Sequence, residues 1–168
     1  MTVLVSDTSI LIDLDRGGLL DSIFSLPYAF AVPDVLYRAE IAGAWGNHLV
    51  DLGLRIEEVS ATGVATALRH RSARPVLSIP DSFAFALAQE RQWTLLTGDG
   101  QLRELAETER LDCHGVLWLL DRLEEANILD IRCLCDGLRA ISKHPRCRLP
   151  KREIMTRLER YAIRITRE

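Results

Sequence analysis

Val3-Leu4-Val5-Ser6-Asp7-Thr8-Ser9-Ile10-Leu11-Ile12-Asp13-Leu14 changes character within four residues. Val3-Leu4-Val5 is short, apolar and β-branched, which reads as a buried strand, and Ser6-Asp7-Thr8-Ser9 is turn chemistry. Ile10, Leu11 and Leu14 then fall at helical spacing, and Gly17-Gly18 supplies a stop. A strand that turns directly into a helix is the opening unit of a parallel sheet.

The same alternation continues along the chain. Ala29–Val32 reads as a strand ended by Pro33, with a helix over about 34–44. Leu54–Val59 reads as a strand and Ala61–Arg71 as a helix. Pro80-Asp81 opens Ser82-Phe83-Ala84-Phe85-Ala86-Leu87-Ala88, too rich in alanine for a strand and apolar all round, as a buried helix is. Trp93–Thr97 is a strand and Asp99–Glu109 a helix with Leu102, Leu105 and Ala106 on one face. A short strand near Leu111–Cys113 and a helix from Val116 to Ala126 complete the pattern. Strands alternating with helices predict an α/β fold, a parallel sheet with helices on both faces. Residues 131–142 and 151–165 both read as helices with no strand between them. The expected organisation is therefore a domain over 1–130 and a helical C-terminal extension over 131–168. In the last helix Ile154, Leu158, Tyr161 and Ile165 form an amphipathic stripe that requires a surface to lie against.

Of the 168 residues, 48% are hydrophobic and 27% charged, which excludes disordered, collagenous and membrane-spanning classes. No apolar run approaches the roughly 20 residues of a membrane helix. The N-terminus lacks signal-peptide character, and the expected location is cytoplasmic. Cys113, Cys133, Cys135 and Cys147 are expected as free thiols. The net charge of −3 is unevenly distributed: residues 1–131 carry 10 basic and 20 acidic side chains, and residues 132–168 carry 11 basic and 4 acidic. A basic tail on an acidic body either meets a polyanion or pairs with the body.

Ligands of open parallel sheets gather at the carboxyl ends of the strands. Asp7 follows the first strand there, and Asp99 follows Trp93–Thr97 through Gly98. Asp81 starts the apolar helix, and Glu40 lies at the flank of the stripe made by Leu36, Ala39 and Gly43. Asp7, Asp81 and Asp99 each also suit a turn or helix cap, and Glu40 alone suits a solvated helix face. Asp13 and Asp15, next to Gly17-Gly18, are expected to be solvated. Converging carboxylates without a Lys or Arg in the same motifs repel one another, and a hard divalent cation relieves them. Such an ion suits phosphoryl chemistry without a protein nucleophile. The DxDxT pattern of a common phosphohydrolase class is missing, as is a glycine-rich phosphate loop.

The segments Val3–Leu14, Pro33–Ile41, Ile79–Ala88 and Thr94–Ala106 together resemble the ordered motif set of PIN-domain nucleases, including VapC-type toxins, over residues 3 to about 125. The resemblance implies a three-layer α/β/α sandwich that cleaves RNA with Mg²⁺ or Mn²⁺. It implies catalysis and metal ligation by Asp7, Glu40, Asp81 and Asp99, with the hydroxyls of Thr8, Ser9 and Thr97 around them. It also implies an RNA substrate, an antitoxin partner and a homodimer, with no membrane. The chain departs from the toxin pattern in its long basic tail and in Gly100 after Asp99. The competing reading is a catalytically silent scaffold that binds a partner protein or nucleic acid through the tail.

Overall fold

In the computed structural model, which describes residues 1–168, the opening run folds into strand β1 (Thr2–Ser6), followed by helix α1 (Thr8–Arg16). Asp7, extended and between the two, caps α1 by accepting a hydrogen bond from the Ile10 amide. The remaining strands are β2 (Tyr28–Pro33), β3 (Arg55–Glu57), β4 (Thr94–Leu96) and β5 (Cys113–His114). They form one all-parallel sheet in the order β3-β2-β1-β4-β5. The chain thus leaves β1 toward β2 and later leaves β4 toward β5, in opposite directions from the centre. Right-handed crossovers then put α1 on one face and α7 (Gly100–Thr108) on the other, the α/β/α arrangement expected. The order reverses between β1 and β4, so the cleft outside their carboxyl ends is where such a sheet binds ligands.

The helices between are α2 (Leu20–Ile23), α3 (Asp34–Leu36), α4 (Ala44–Leu52), α5 (Ala61–Ala73) and α6 (Ile79–Arg91). Every residue of α6 from Ser82 to Ala88 is buried, and this alanine-rich face lies against β1, β2 and β4 with α5 packed on it. Small side chains let the helix approach the sheet closely. The edge strands β3 and β5 are shorter than expected, which limits the unpaired backbone they offer to other chains.

The largest difference from expectation is at 34–44, where the sequence predicts a single α-helix. The α-helical part is only Asp34–Leu36, and Tyr37–Ile41 is a π-helical turn in which the Ala42 amide donates to the Tyr37 carbonyl. Gly43 ends the turn at φ +124°, a conformation that side chains disfavour, and α4 starts immediately after. Gly46 of α4 lets that helix approach the turn, since a Cβ there would lie 2.8 Å from the Tyr37 hydroxyl. The apolar positions of this segment suit α- and π-spacing alike, and the period alone did not separate them.

Beyond α8 (Val116–Glu125) the chain continues into α9 (Ile131–Lys143) and α10 (Lys151–Arg167). A single cluster of 37 buried residues runs from Leu4 to Tyr161, so both helices share the core of the sheet domain across the division read at residue 130. Ile154 and Tyr161 are the buried members of the α10 stripe, and Leu158 and Ile165 pack beside them. Two glycines permit the docking of α9. A Cβ on Gly137 would lie 2.8 Å from the Gly17 carbonyl at the end of α1. Arg157, Arg160 and Arg164 of α10 pair with Asp121 and Glu124 of α8, Arg157 with two hydrogen bonds to Asp121 at 2.6 and 2.9 Å. Part of the tail's positive charge is therefore neutralised within the molecule. All four cysteines are free, and no helix is long and apolar enough to cross a membrane.

Candidate functional site

The reversal between β1 and β4 brings Asp7 and Asp99 together through one hydroxyl. The Asp7 amide donates to the Leu96 carbonyl at 3.0 Å, which ties the end of β1 to the end of β4. Thr97, fully buried, donates its hydroxyl to the Asp7 carboxylate and accepts the Asp99 amide at 3.0 Å. Asp7 is itself only 1% exposed and accepts further bonds from the Ser9 hydroxyl at 2.8 Å and the Ile10 amide at 3.0 Å. Burial raises its pKa, while the Thr97, Ile10, Ser9 and Gly98 donors act in the opposite direction.

Asp99 caps α7, accepting from the amides of Gln101 at 2.8 Å and Leu102 at 3.1 Å. Capping and site roles do not compete here, because each carboxylate that caps a helix also lines the cleft. Asp81 differs: Ser78 is the cap of α6, accepting the Asp81 amide at 3.1 Å, which leaves the Asp81 carboxylate free of that duty. Its pKa is pushed up to about 6, first by burial and then, against the Ser78 hydroxyl, by the negative charges of Asp7, Glu40 and Asp99. Glu40, on the π-helical turn, is exposed and accepts the Thr8 hydroxyl, next in sequence to Asp7.

Asp7, Asp81 and Asp99 line one cavity of about 230 Å³. Glu40 does not line it, but its charge reaches Asp81, and its hydrogen bond to Thr8 fixes it beside the same strand end. The three hydroxyls singled out in the sequence each donate to one of these acids: Thr8 to Glu40, and Ser9 and Thr97 to Asp7. None of the four acids forms an ion pair with a basic side chain. Four uncompensated carboxylates with hydroxyls behind them form a hard-oxygen donor set, and in chemistry it fits magnesium or manganese. As the side chains stand, no three acidic, histidine or cysteine groups converge closely enough to hold one ion.

Sequence reasoning missed four charged residues of this cavity. Asp13 is not solvated as expected: its side chain is 16% exposed, lines the cavity and pairs with Arg16 at 3.3 Å. Burial raises its pKa, opposed by Arg16, His144 and Arg148. Arg16, Arg146 and Arg148 also line the cavity, the last two from the loop between α9 and α10. The available signal was the basic cluster His144-Pro145-Arg146-Cys147-Arg148, which has no periodic pattern of its own and was read only as part of a basic tail.

A family model described as a PIN domain matches residues 3–162. PIN domains are commonly nucleases and typically use divalent metals. No curated protein matches the chain. The family match runs from β1 through most of α10 and takes in all five strands, so the chain belongs to the PIN-domain family.

Proposed function

We propose that this protein is an endoribonuclease dependent on Mg²⁺ or Mn²⁺, with Asp7, Glu40, Asp81 and Asp99 as metal-holding and catalytic residues. One observation carries the reading: Asp7, Asp81 and Asp99, none with a cationic partner, line one cavity outside the carboxyl ends of β1 and β4, and the charge of Glu40 also reaches Asp81 there. A site that stores such repulsion when metal-free gains most from a divalent cation. When bound, the ion supplies neutralisation of phosphate charge and acidification of an attacking water.

The chain's own groups do the rest. Thr97 orients Asp7 from behind and holds the Asp99 backbone, so the two acids keep one geometry. Thr8 restrains Glu40, an exposed side chain that otherwise loses rotamer freedom on engaging a ligand. Asp7, buried and held by the Ser9, Ile10 and Thr97 donors, stays fixed as the others adjust.

The test compares RNA cleavage by purified parent protein with Asp7→Asn and Asp99→Asn in Mn²⁺. Asn caps helices about as well as Asp, so both variants retain their caps and fold. Cleavage is expected to fall by at least a hundredfold in each. Equal rates in parent and variants, freed of contaminating nuclease, overturn the assignment.

Within this reading the protein is a cytoplasmic toxin of the VapC type, neutralised by an antitoxin encoded beside it, and a homodimer. The neighbouring gene and light scattering on the purified protein test these two partners. A small neighbouring reading frame whose product abolishes cleavage supports the toxin assignment.

A further inference from the structure

Two arginines of the α9–α10 loop face the acidic cavity without pairing to it. Arg146 and Arg148 line the same 230 Å³ space as Asp7, Asp81 and Asp99, yet neither forms an ion pair with any carboxylate. Arg157, Arg160 and Arg164 of the following helix differ from them, since all three are engaged by Asp121 and Glu124. A guanidinium that plugged the acidic site would sit in contact with its carboxylates. Here the space between remains open and is many times larger than a single water needs.

The loop is also held in place. The Gly17–Gly137 contact anchors α9 before it, and the Arg157–Asp121 pair anchors α10 after it. Within it the Cys147 amide donates to the His144 carbonyl at 2.9 Å, the Arg146 amide to His144 Nδ1 at 3.1 Å, and Leu149 packs on the core. Both arginines are exposed and the intervening Cys147 is half-buried, so the two charged groups stand on the open side of a fixed turn. Guanidinium groups bind phosphate oxygens in bidentate fashion, and pre-positioning reduces the entropy lost in doing so.

We propose that this loop is a phosphate-binding arm of the site, in which Arg146 and Arg148 hold the backbone of an RNA strand whose scissile phosphate lies among the acids. The proposal rests on the nuclease reading for the position of the cut and on the loop alone for the binding.

The test uses the full chain in three forms: parent, Arg146→Ala with Arg148→Ala, and Arg132→Ala with Arg139→Ala. The last removes equal charge from the exposed side of α9. Binding of a short fluorescein-labelled single-stranded RNA is followed by anisotropy in Ca²⁺ over a range of salt, and cleavage kinetics are followed in Mn²⁺. All three proteins are expected to melt at the same temperature. Loss of Arg146 and Arg148 is expected to weaken binding on the order of tenfold and to lower the salt slope by roughly 1.4, the value for two phosphate contacts to a single strand. In cleavage the loss is expected in KM with kcat nearly unchanged, and the α9 variant should behave as the parent. Equal weakening in the two double variants, or none in either, overturns the arm. A parent that binds RNA through Arg146 and Arg148 but cuts none overturns the nuclease reading and leaves the arm standing. A parent that cuts RNA as fast as its loop variant, with equal KM, overturns the arm alone.

Discussion

Thr97 and Asp7, 90 residues apart in sequence, are joined by a buried hydrogen bond in which the threonine hydroxyl donates to the carboxylate. The same oxygen accepts the Asp99 amide, so one side chain sets the position of two acids on neighbouring strand ends. Thr97→Val preserves shape and removes both bonds. Groups behind a metal ligand typically contribute 10- to 100-fold in metal affinity. A loss within that range is expected in Mn²⁺ affinity, read by calorimetry or by metal-dependent thermal shift, with RNA cleavage reduced in parallel. An unchanged Mn²⁺ titration removes Thr97 from the site.

Asp81 makes the metal-free protein pH-sensitive. Its folded pKa, about 6, lies above the 3.8 of a free aspartate. Below pH 3.8 the carboxyl is protonated folded or unfolded; between 3.8 and about 6 the folded state binds the extra proton. Stability therefore falls as pH rises through that window, and the full cost is present above it. That rise corresponds to roughly 3 kcal/mol, which solvent screening of this part-exposed group reduces to about 1–2 kcal/mol. In EDTA at pH 7.5, Asp81→Asn is expected to be more stable than the parent by that amount, with the difference shrinking at pH 5. Mn²⁺ should stabilise the parent more than the variant, by up to about 2.7 kcal/mol at a hundredfold excess over Kd. A variant less stable than the parent in EDTA would falsify the picture of a repulsive metal-free site.

What the sequence disclosed about this site depended on how local each signal was. Asp7 and Asp99 were legible because strand, turn and cap lie within a few residues of each, and β-branched runs ending in an N-cap residue have few other readings. Asp81 was legible for the apolar helix it opens, although Ser78 holds the cap. Glu40 falls on a continuous helix in the sequence reading, because its apolar neighbours do not separate α- from π-spacing; what marks the turn is the positive φ of Gly43 and the close approach of Gly46 to Tyr37, and apolar spacing discloses neither. The docking of the tail was not legible. It depends on Gly17 meeting Gly137, and the first was read only as a helix stop. That contact works with the Arg157–Asp121 pair and the packing of Leu149 to set the loop that carries Arg146 and Arg148, and all of these partners lie far apart in sequence.

Gly137 shows how much that contact contributes. Ala raises helix propensity by about 1 kcal/mol at an unobstructed site. Here its Cβ would lie 2.8 Å from both the Gly17 carbonyl and Leu19, and overpacking of this kind costs about 1–3 kcal/mol. The Leu19 side chain can move; the backbone oxygen can move only with α1 or α9. Gly137→Ala is therefore expected to lower stability in urea denaturation despite the propensity gain, and Gly137→Val to lower it more. Displacement of α9 also loosens the 144–150 loop, so limited trypsin digestion should cut at Arg146 or Arg148 sooner in these variants. A stabilised Gly137→Ala protein would show that α9 stands further from α1 than the contact requires.

Tyr161 has no exposed surface, and its hydroxyl has no hydrogen-bond partner. Burial, with Glu124 nearby, pushes its phenol up to about 12, so the group stays neutral and contributes as an apolar ring with a polar atom at its tip. The ring anchors α10 to the core, and Arg160 lies over it at 5.5 Å before reaching Asp121 and Glu124. An unpaired buried hydroxyl costs about 1–3 kcal/mol, whereas the ring is worth about that much again in burial. The two contributions separate cleanly by substitution. Tyr161→Phe keeps the ring and is expected to be stabilising by about 0.5–1.5 kcal/mol, raising Tm by roughly 1–6 °C for a chain of this size. Tyr161→Ala removes the ring and is expected to cost about 3–5 kcal/mol. A Phe variant less stable than the parent would mean that the hydroxyl is bonded in solution, through a water reached from the α8–α10 interface, and that α10 is held there by a polar contact as well as by its apolar stripe.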